Sequence, residues 1–548
     1  MALLPPQKVG VKSALLRDAL VALSLANLLL LSQWIKSLDS AVNYSHDDAL
    51  PAPVISFDVL IVAALLFCGA RLARRSGGWL LELARISFLL LLLVPVNVLR
   101  LRLGAVSGES SNHVLPLFAP LAALAIALFL LAFSRFKREL LALGTKVTLL
   151  FSPFVLVTFG QAAWQWRKEG RPSAANTAGI LPAAQKRRQR VVWIVFDELD
   201  QRATFLLRPS SVALPELDDL RARSWHAENA YPPNRLTMMA IPSLLTGKIV
   251  CSLDPTAGAS GPSLKMAGEF KGVPVSETAT VFKRARELGF RVGVVGWYHP
   301  YCRSFAADVE RCEDARTLVA KHLGLWGQMK HALASDEMIA SLPLGYRLLN
   351  RRKTKARRIP YGPELHLLIY QEVMQEAKSL IVDRNVDLAF VHFPIPHLPE
   401  IFDRRTGEAT ASGEGSYFDN LALVDRTVGE LRRVLENAGL WDETSLLLMS
   451  DHWWRIDAYD FFFKGDLRAE ERPFASLPLD ARVPFLLKLA GAGGGRSYDK
   501  PFNTVLAHDL VLALLRDELR HPEDVDRWFD EKASAQAKDP FFYLYVCK

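Results

Sequence analysis

The sequence predicts a two-part molecule: an N-terminal bundle of membrane-spanning helices, then an α/β domain, an α/β/α sandwich on a mostly parallel sheet. Three observations carry this. The first third of the 548-residue chain is long uncharged runs of Leu, Ala and Val. A polar stretch rich in Lys, Arg, Ala, Pro and Gly follows, over residues 161–189. From about Arg187 short apolar runs alternate with charged and turn residues and with helical patterns, as a parallel α/β domain does. The expected boundaries are 1–163 for the bundle, 164–189 for a linker that begins in the headgroup layer, and 190–548 for the α/β domain.

In the bundle, runs approaching bilayer length fall at residues 19–35, 54–70, 79–99, 114–133 and 140–160. A span needs roughly 20 apolar residues, so about five helices are expected. Asn27 weakens the first run and Lys146 the fifth. The first run lacks a small-residue cleavage site and more spans follow it, so it is read as a span and not as a signal peptide. Basic residues set the orientation. Lys8, Lys12 and Arg17, then Arg71, Arg74 and Arg75, then Arg135, Lys137 and Arg138 fall in alternate loops and belong in the cytoplasm, which puts the α/β domain outside. Arg100 and Arg102 break the pattern.

The net charge of +8 is modest for this length, and the basic residues flank the apolar runs. That fits a membrane surface and gives no nucleic-acid footprint. One basic stretch, SLPLGYRLLNRRKTKARR at 341–358, is either a solvated surface segment or an interfacial one. Five cysteines suit an oxidising compartment: Cys302 and Cys312 are close enough to close a short loop, Cys251 and Cys547 form a possible second pair, and Cys68 lies in a span.

Along the α/β domain, strands are expected at 190–196, 291–295, 387–392, 445–449 and 483–489, with helices at 277–288 and 421–438. Two strands end in ligand-type residues. VVWIVFDELD delivers Asp197 and Glu198, and MSDHWW delivers Asp451 and His452. Taken singly, acids after a strand are common helix caps and Asp-His is a common dipeptide. A carboxylate beside an imidazole nevertheless suits a divalent transition metal. In NRLTMMAIPSLLTGK, Thr237 opens a helix; it is either a plain cap or a hydroxyl set where helix N–H groups favour a phosphate.

In chain order, strand–acid, hydroxyl–helix–LLTG and strand–SDH together resemble the alkaline phosphatase/sulfatase superfamily. VGWYHPYC, VHFPIPHLP and the long match YFDNLALVDRTVGELRRVLENAGLWDETSLLLMSDH extend the resemblance over about 190–519. It implies one divalent metal held by Asp197, Asp451 and His452, with Thr237 as nucleophile and fourth ligand. His397 would contact the substrate or protonate the leaving group, with His299 a weaker candidate. Glu198 is a further ligand or a helix cap. Zinc or manganese suits the Asp/His/Thr set better than calcium does. Sulfatases need Cys or Ser at the nucleophile position, so Thr237 argues against sulfate-ester hydrolysis. Phosphoethanolamine transferases and lipoteichoic acid synthases, which this chain also resembles in its spans, use Thr. The resemblance therefore implies a phospholipid donor, a phospho-threonine intermediate and an envelope glycan or lipid acceptor, at the bacterial inner membrane with the catalytic domain on its outer face. A hydrolase with the same site and a non-catalytic envelope scaffold are the alternatives. Trp453 and Trp454 depart from the family pattern; they either shape an acceptor pocket or pack beneath the loop.

Overall fold

A computed structural model describes residues 11–38, 52–106, 136–169, 189–254, 262–334, 338, 362–456, 467–533 and 547. The chain divides into two compact units. The first is helical. Three of its helices are long and apolar enough to cross a membrane: Ala52–Ser76, Gly78–Leu99 and Phe136–Trp164. These cover the second, third and fifth expected spans. The first expected span is divided between helices Val11–Leu29 and Leu31–Leu38, and the fourth, at 114–133, lies outside the described residues. Within the third, the helix breaks at Leu92 between Gly78–Leu91 and Leu93–Val106. Pro95 accounts for the break, because it has no N–H for the carbonyl four residues earlier.

Described residues 323–334 and Met338 cluster with this first unit, not with the domain where the sequence reading put them. The helix that carries the chain there, Ala315–Ala334, is interrupted at Gly324. Its φ of 57° and ψ of 177° suit glycine alone. The basic stretch at 341–358 lies outside the described residues.

The second unit is built on an eight-stranded sheet. Its strands are β1 (Arg190–Asp197), β2 (Trp225–Ala227), β3 (Val292–Gly296), β4 (Arg311–Asp314), β5 (Leu388–Pro396), β6 (Thr444–Ser450), β7 (Phe485–Lys488) and β8 (Arg496–Tyr498). In space the order is β8-β2-β7-β6-β1-β5-β3-β4. Every neighbouring pair is parallel except the two that β7 makes. All residues of β1, β5 and β6 are buried, which is why these strands read as unbroken apolar runs rather than alternating ones. The helices used below are α1 (Thr237–Thr246), α2 (Val281–Glu287), α3 (Pro363–Ile381), α4 (Tyr417–Asn437) and α5 (Ala507–Leu515). α2 and α5 contribute to one core with the sheet, including Val281, Phe282, Leu510 and Leu514 beside Val191, Trp193 and Phe390. α4 starts at a capping box, with Ser416 and Asp419 exchanging hydrogen bonds across its first turn.

The five expected strands lie within a few residues of β1, β3, β5, β6 and β7, the last of them expected at 483–489 and laddered only over Phe485–Lys488, whereas β2, β4 and β8 were not expected. Both expected cysteine pairs are disulfides, Cys302–Cys312 and Cys251–Cys547, and Cys68 is free. The second bridge closes a loop of 296 residues. Alkylation of the unfolded, unreduced protein is expected to label one thiol, rising to five on reduction. Replacing Cys251 and Cys547 by Ser is expected to cost roughly 2–5 kcal/mol, read by thermal or denaturant unfolding.

Candidate active site

Strand register assembles the site. β1 and β6 run parallel with Phe196 opposite Ser450, so the next residue of each, Asp197 and Asp451, emerges side by side at the carboxyl edge. On the other flank β5 pairs with β1 through Phe393 and Phe196. The register then slips, so that Asp197 meets Pro396. That slip lets the His397 N–H donate to the Asp197 carbonyl at 3.1 Å.

Three ligand-type groups converge there: Asp197, Asp451 and His452, all buried, have ligand atoms within 4.8 Å of one another. His452 Nε2 lies 3.6 Å from Asp197 Oδ1 and 3.4 Å from Asp451 Oδ2. Thr237 joins them. Its hydroxyl is 3.3 Å from Asp197 Oδ2 and 3.0 Å from His452 Nε2. α1 begins at Thr237 with Leu236 as its cap residue, so the hydroxyl turns to the acids instead of capping the helix.

The donor set fits a divalent cation. Asp451 Oδ1 accepts from the Glu198 and His452 N–H groups at 3.1 and 2.8 Å. Asp451 Oδ2 and Asp197 Oδ1, in contrast, are buried without a hydrogen-bond partner. His452 Nδ1 lies 3.0 Å from the Trp453 carbonyl, which assigns the proton to Nδ1 and turns the Nε2 lone pair towards the Thr237 hydroxyl and the two carboxyls. Burial, and for Asp197 the charges of Asp451 and Glu198, holds both aspartates above the usual carboxylate range. Burial and the Arg455 guanidinium push His452 well below the usual imidazole value, keeping it neutral. Two carboxyls that resist ionising and one bare imidazole nitrogen are what a cation would stabilise.

Glu198 has a φ of 67°, an uncommon conformation for a residue with a side chain. Its carboxylate pairs with Arg455 at 2.6 Å and is outside the three-residue ligand group. The side chain that accepts from the N–H groups of Arg202 and Ala203 at the start of the next helical turn is Asp200. Lys248 pairs with Glu269 at 3.3 Å. The guanidinium that acts on the site is Arg455, which the sequence reading missed.

His299 sits behind the nucleophile position. It is buried, its ring Nε2 lies 3.0 Å from the Thr237 carbonyl, and burial lowers its pKa to about 4. It is therefore a neutral donor to backbone. His397 is half-buried, its Nδ1 2.6 Å from the Leu398 carbonyl and its ring against Trp297, and burial lowers its pKa too. Trp453 and Trp454 are buried, and Trp454 stacks on Tyr417 at 4.0 Å between ring centroids. Tyr417 in turn donates to the Glu198 carbonyl at 2.7 Å and accepts from the Asp200 N–H. The tryptophan pair thus packs beneath the loop.

Asn420, on the buried face of α4, was also missed. Its amide donates to the carbonyls of His397 and Pro399 at 3.1 and 3.2 Å and accepts from the Ile401 N–H at 2.8 Å. The signal for it was present as an amide among the apolar positions of an amphipathic helix, but any surface Asn gives the same signal.

Residues 192–453 match the profile of the type I phosphodiesterase / nucleotide pyrophosphatase family. The stretch contains Asp197, Thr237, His397, Asp451 and His452. No curated protein sequence matches the chain significantly. Among solved structures, the chain is similar to Ps i-CgsB at 15% identity, covering 60% of this chain and 72% of that one, with a TM-score of 0.41. It is similar to the lipoteichoic acid synthase LtaP from Listeria monocytogenes at 12% identity, over 60% and 72% of the two chains, with a TM-score of 0.37. It is similar to a phosphonate monoester hydrolase of Agrobacterium radiobacter at 14% identity, over 60% and 74%, with a TM-score of 0.38. The family match falls within the α/β domain, on a chain that also carries three apolar helices of membrane-spanning length among its described residues.

The metal-stripped protein carries two carboxyls whose folded pKa values exceed their unfolded ones. Their contribution to stability is full below the unfolded pKa and is lost as pH rises through the folded pKa. The gain in melting temperature on adding zinc or manganese is therefore expected to grow from about pH 5 to about pH 8, as the cation replaces protons. A gain that shrinks with pH would contradict it. Asn420→Ala is expected to cost roughly 2–4 kcal/mol in unfolding experiments and to leave metal content unchanged.

Proposed function

We propose that this protein is a membrane-anchored transferase that moves a phospholipid headgroup, phosphoethanolamine or phosphoglycerol, through a phospho-threonine intermediate to an envelope glycan or lipid. The observation that carries the reading is the placement of the Thr237 hydroxyl within 3.3 Å of both an Asp197 carboxylate oxygen and His452 Nε2, on a chain with three helices of membrane-spanning length. Asp197, Asp451 and His452, with Thr237 beside them, would hold a divalent ion, which when bound would supply a lowered pKa at the Thr237 hydroxyl and charge neutralisation at the phosphoryl group.

In the first half-reaction the Thr237 oxygen attacks phosphorus. The bond from phosphorus to the diacylglycerol oxygen breaks, and the proton given up by the Thr237 hydroxyl ends on that oxygen as diacylglycerol leaves. The N-terminus of α1 adds oriented N–H groups beside the phosphate. His299 holds the Thr237 carbonyl and so the direction of the hydroxyl. In the second half-reaction an acceptor hydroxyl attacks the same phosphorus, and Thr237 leaves, its oxygen recovering in the end the proton that the acceptor loses. His397, neutral and with its proton assigned to Nδ1, takes the acceptor proton at Nε2. Threonine at the nucleophile position argues against sulfate esters. Two disulfides support an extracytoplasmic catalytic domain, and the basic loops support a multi-pass protein of the bacterial inner membrane.

The family match to phosphodiesterases favours a second reading with the same first step and water as acceptor. Intact-mass measurement after incubation with phosphatidylethanolamine and phosphatidylglycerol vesicles tests both. An adduct on Thr237, absent in Thr237→Ala, is expected, and its mass names the headgroup. Diacylglycerol release without transfer to any acceptor would favour the hydrolase, and no adduct with no release would sink both. Thr237→Ala is expected to lower turnover by at least about a thousandfold.

A further inference from the structure

A base must present one nitrogen to the reacting proton, so its ring has to keep one orientation. Local bonds do only part of this for His397. Its Nδ1 lies 2.6 Å from the carbonyl of the next residue, Leu398, and its own carbonyl accepts from Asn420. The first bond stays within the loop and the second fixes backbone. Neither ties the imidazole to the sheet. Among the described residues the one ring that meets it is the Trp297 indole, at 5.6 Å between centroids and 60° between planes.

Trp297 follows directly on β3, the strand paired with β5, and is 2% exposed. It is held from other directions as well. His366, fully buried in the first turn of α3, meets the indole edge-on at 5.6 Å and 88°. His392 of β5 lies at 6.3 Å. The Trp297 carbonyl accepts from the His299 N–H at 2.8 Å. Five residues on, Cys302 is bonded to Cys312 of β4 and donates its N–H to Asp314 at 3.1 Å. The indole is therefore fixed by β3, β5 and α3 together, and it is the rigid surface against which the His397 ring rests. Its side chain touches neither the ligand group nor Thr237 in any bond described above, so its effect on the site passes through His397.

We propose that Trp297 is a positioning residue for His397: the buried indole holds the imidazole so that Nε2 keeps one direction. What the held ring does rests on the phospho-threonine reading. That it is held does not.

Two readouts test this in the full-length, metal-loaded protein. The first is the rate at which diethyl pyrocarbonate modifies His397, followed by peptide mass spectrometry. Trp297→Leu, which removes the flat face, is expected to raise that rate about fivefold, and Trp297→Phe by less than about twofold. The second is the Thr237 adduct, loaded from mixed phosphatidylethanolamine and phosphatidylglycerol vesicles and followed by intact mass. In Trp297→Leu its decay with glycerol as acceptor is expected to be at least about tenfold slower, while its formation stays within about twofold. Added to His397→Ala, Trp297→Leu is expected to slow decay no further, because a residue that acts through another has no effect in its absence. A residue that only fills space would slow formation and decay alike and would add to His397→Ala. Either result overturns the proposal, as does an unchanged labelling rate. If Trp297→Leu fails to bind metal, Trp297→Met is read in its place, since that side chain adapts to irregular space without a flat face. An unmodified protein that forms no adduct sinks the phospho-threonine reading, and the labelling rates then decide by themselves whether Trp297 holds His397.

Discussion

Two carboxylates that share one dry site at the ends of β1 and β6 set the terms for the catalytic domain. Asp197 and Asp451 are fully buried and repel one another, and burial alone already opposes their ionisation. Isolated buried charge costs several kcal/mol, so such a pair persists only where something else is stabilised by it. The surroundings commit to keeping it in place. Ser450 accepts the Leu199 N–H and donates to backbone, Tyr417 ties the Glu198 and Asp200 backbone together, and Arg455 balances Glu198 from outside the ligand group. These bonds hold the acids ready for a cation and do not cancel their charge.

The sheet makes this arrangement affordable because it is nearly all parallel on this side. Parallel strands put every carboxyl end on one edge, so β1, β3, β5 and β6 deliver Asp197, His299, His397, Asp451 and His452 to a common rim from four distant stretches of sequence. α1 completes it by aiming its N-terminus, and Thr237, at the same point. His299, His397 and His452 share a lowered pKa with desolvation as its first cause, and in each a backbone carbonyl lies against one ring nitrogen.

In the helical unit several buried polar groups return their bonds within the unit. Hydroxyls such as that of Thr148 donate to helix carbonyls and Asp18 pairs with Arg74, whereas both Asp58 oxygens and the Asn27 amide nitrogen are buried without a hydrogen-bond partner.

The sequence by itself determined the two-part plan, the strands ending in acids, the family resemblance and the close Cys302–Cys312 pair, because each is encoded locally: an apolar run of given length, a motif of fixed order, a short spacing; the Cys251–Cys547 pair it left open. It could not decide between cap and ligand for Asp197, between cap and site hydroxyl for Thr237, or between pocket and packing for Trp453 and Trp454. Those choices turn on which strand lies beside which. The pairing of Phe196 with Ser450 brings two acids 254 residues apart into one site, and it is Asp200 that accepts the Arg202 N–H. It likewise gave no sign of Arg455 or Asn420, whose partners, Glu198 and the His397 loop, are near only after folding. Nor did it show that residues 323–334 pack with the helical unit, since their composition suits either side. Local pattern fixes what each segment is; the sheet register, a long-range property, decides what each side chain does.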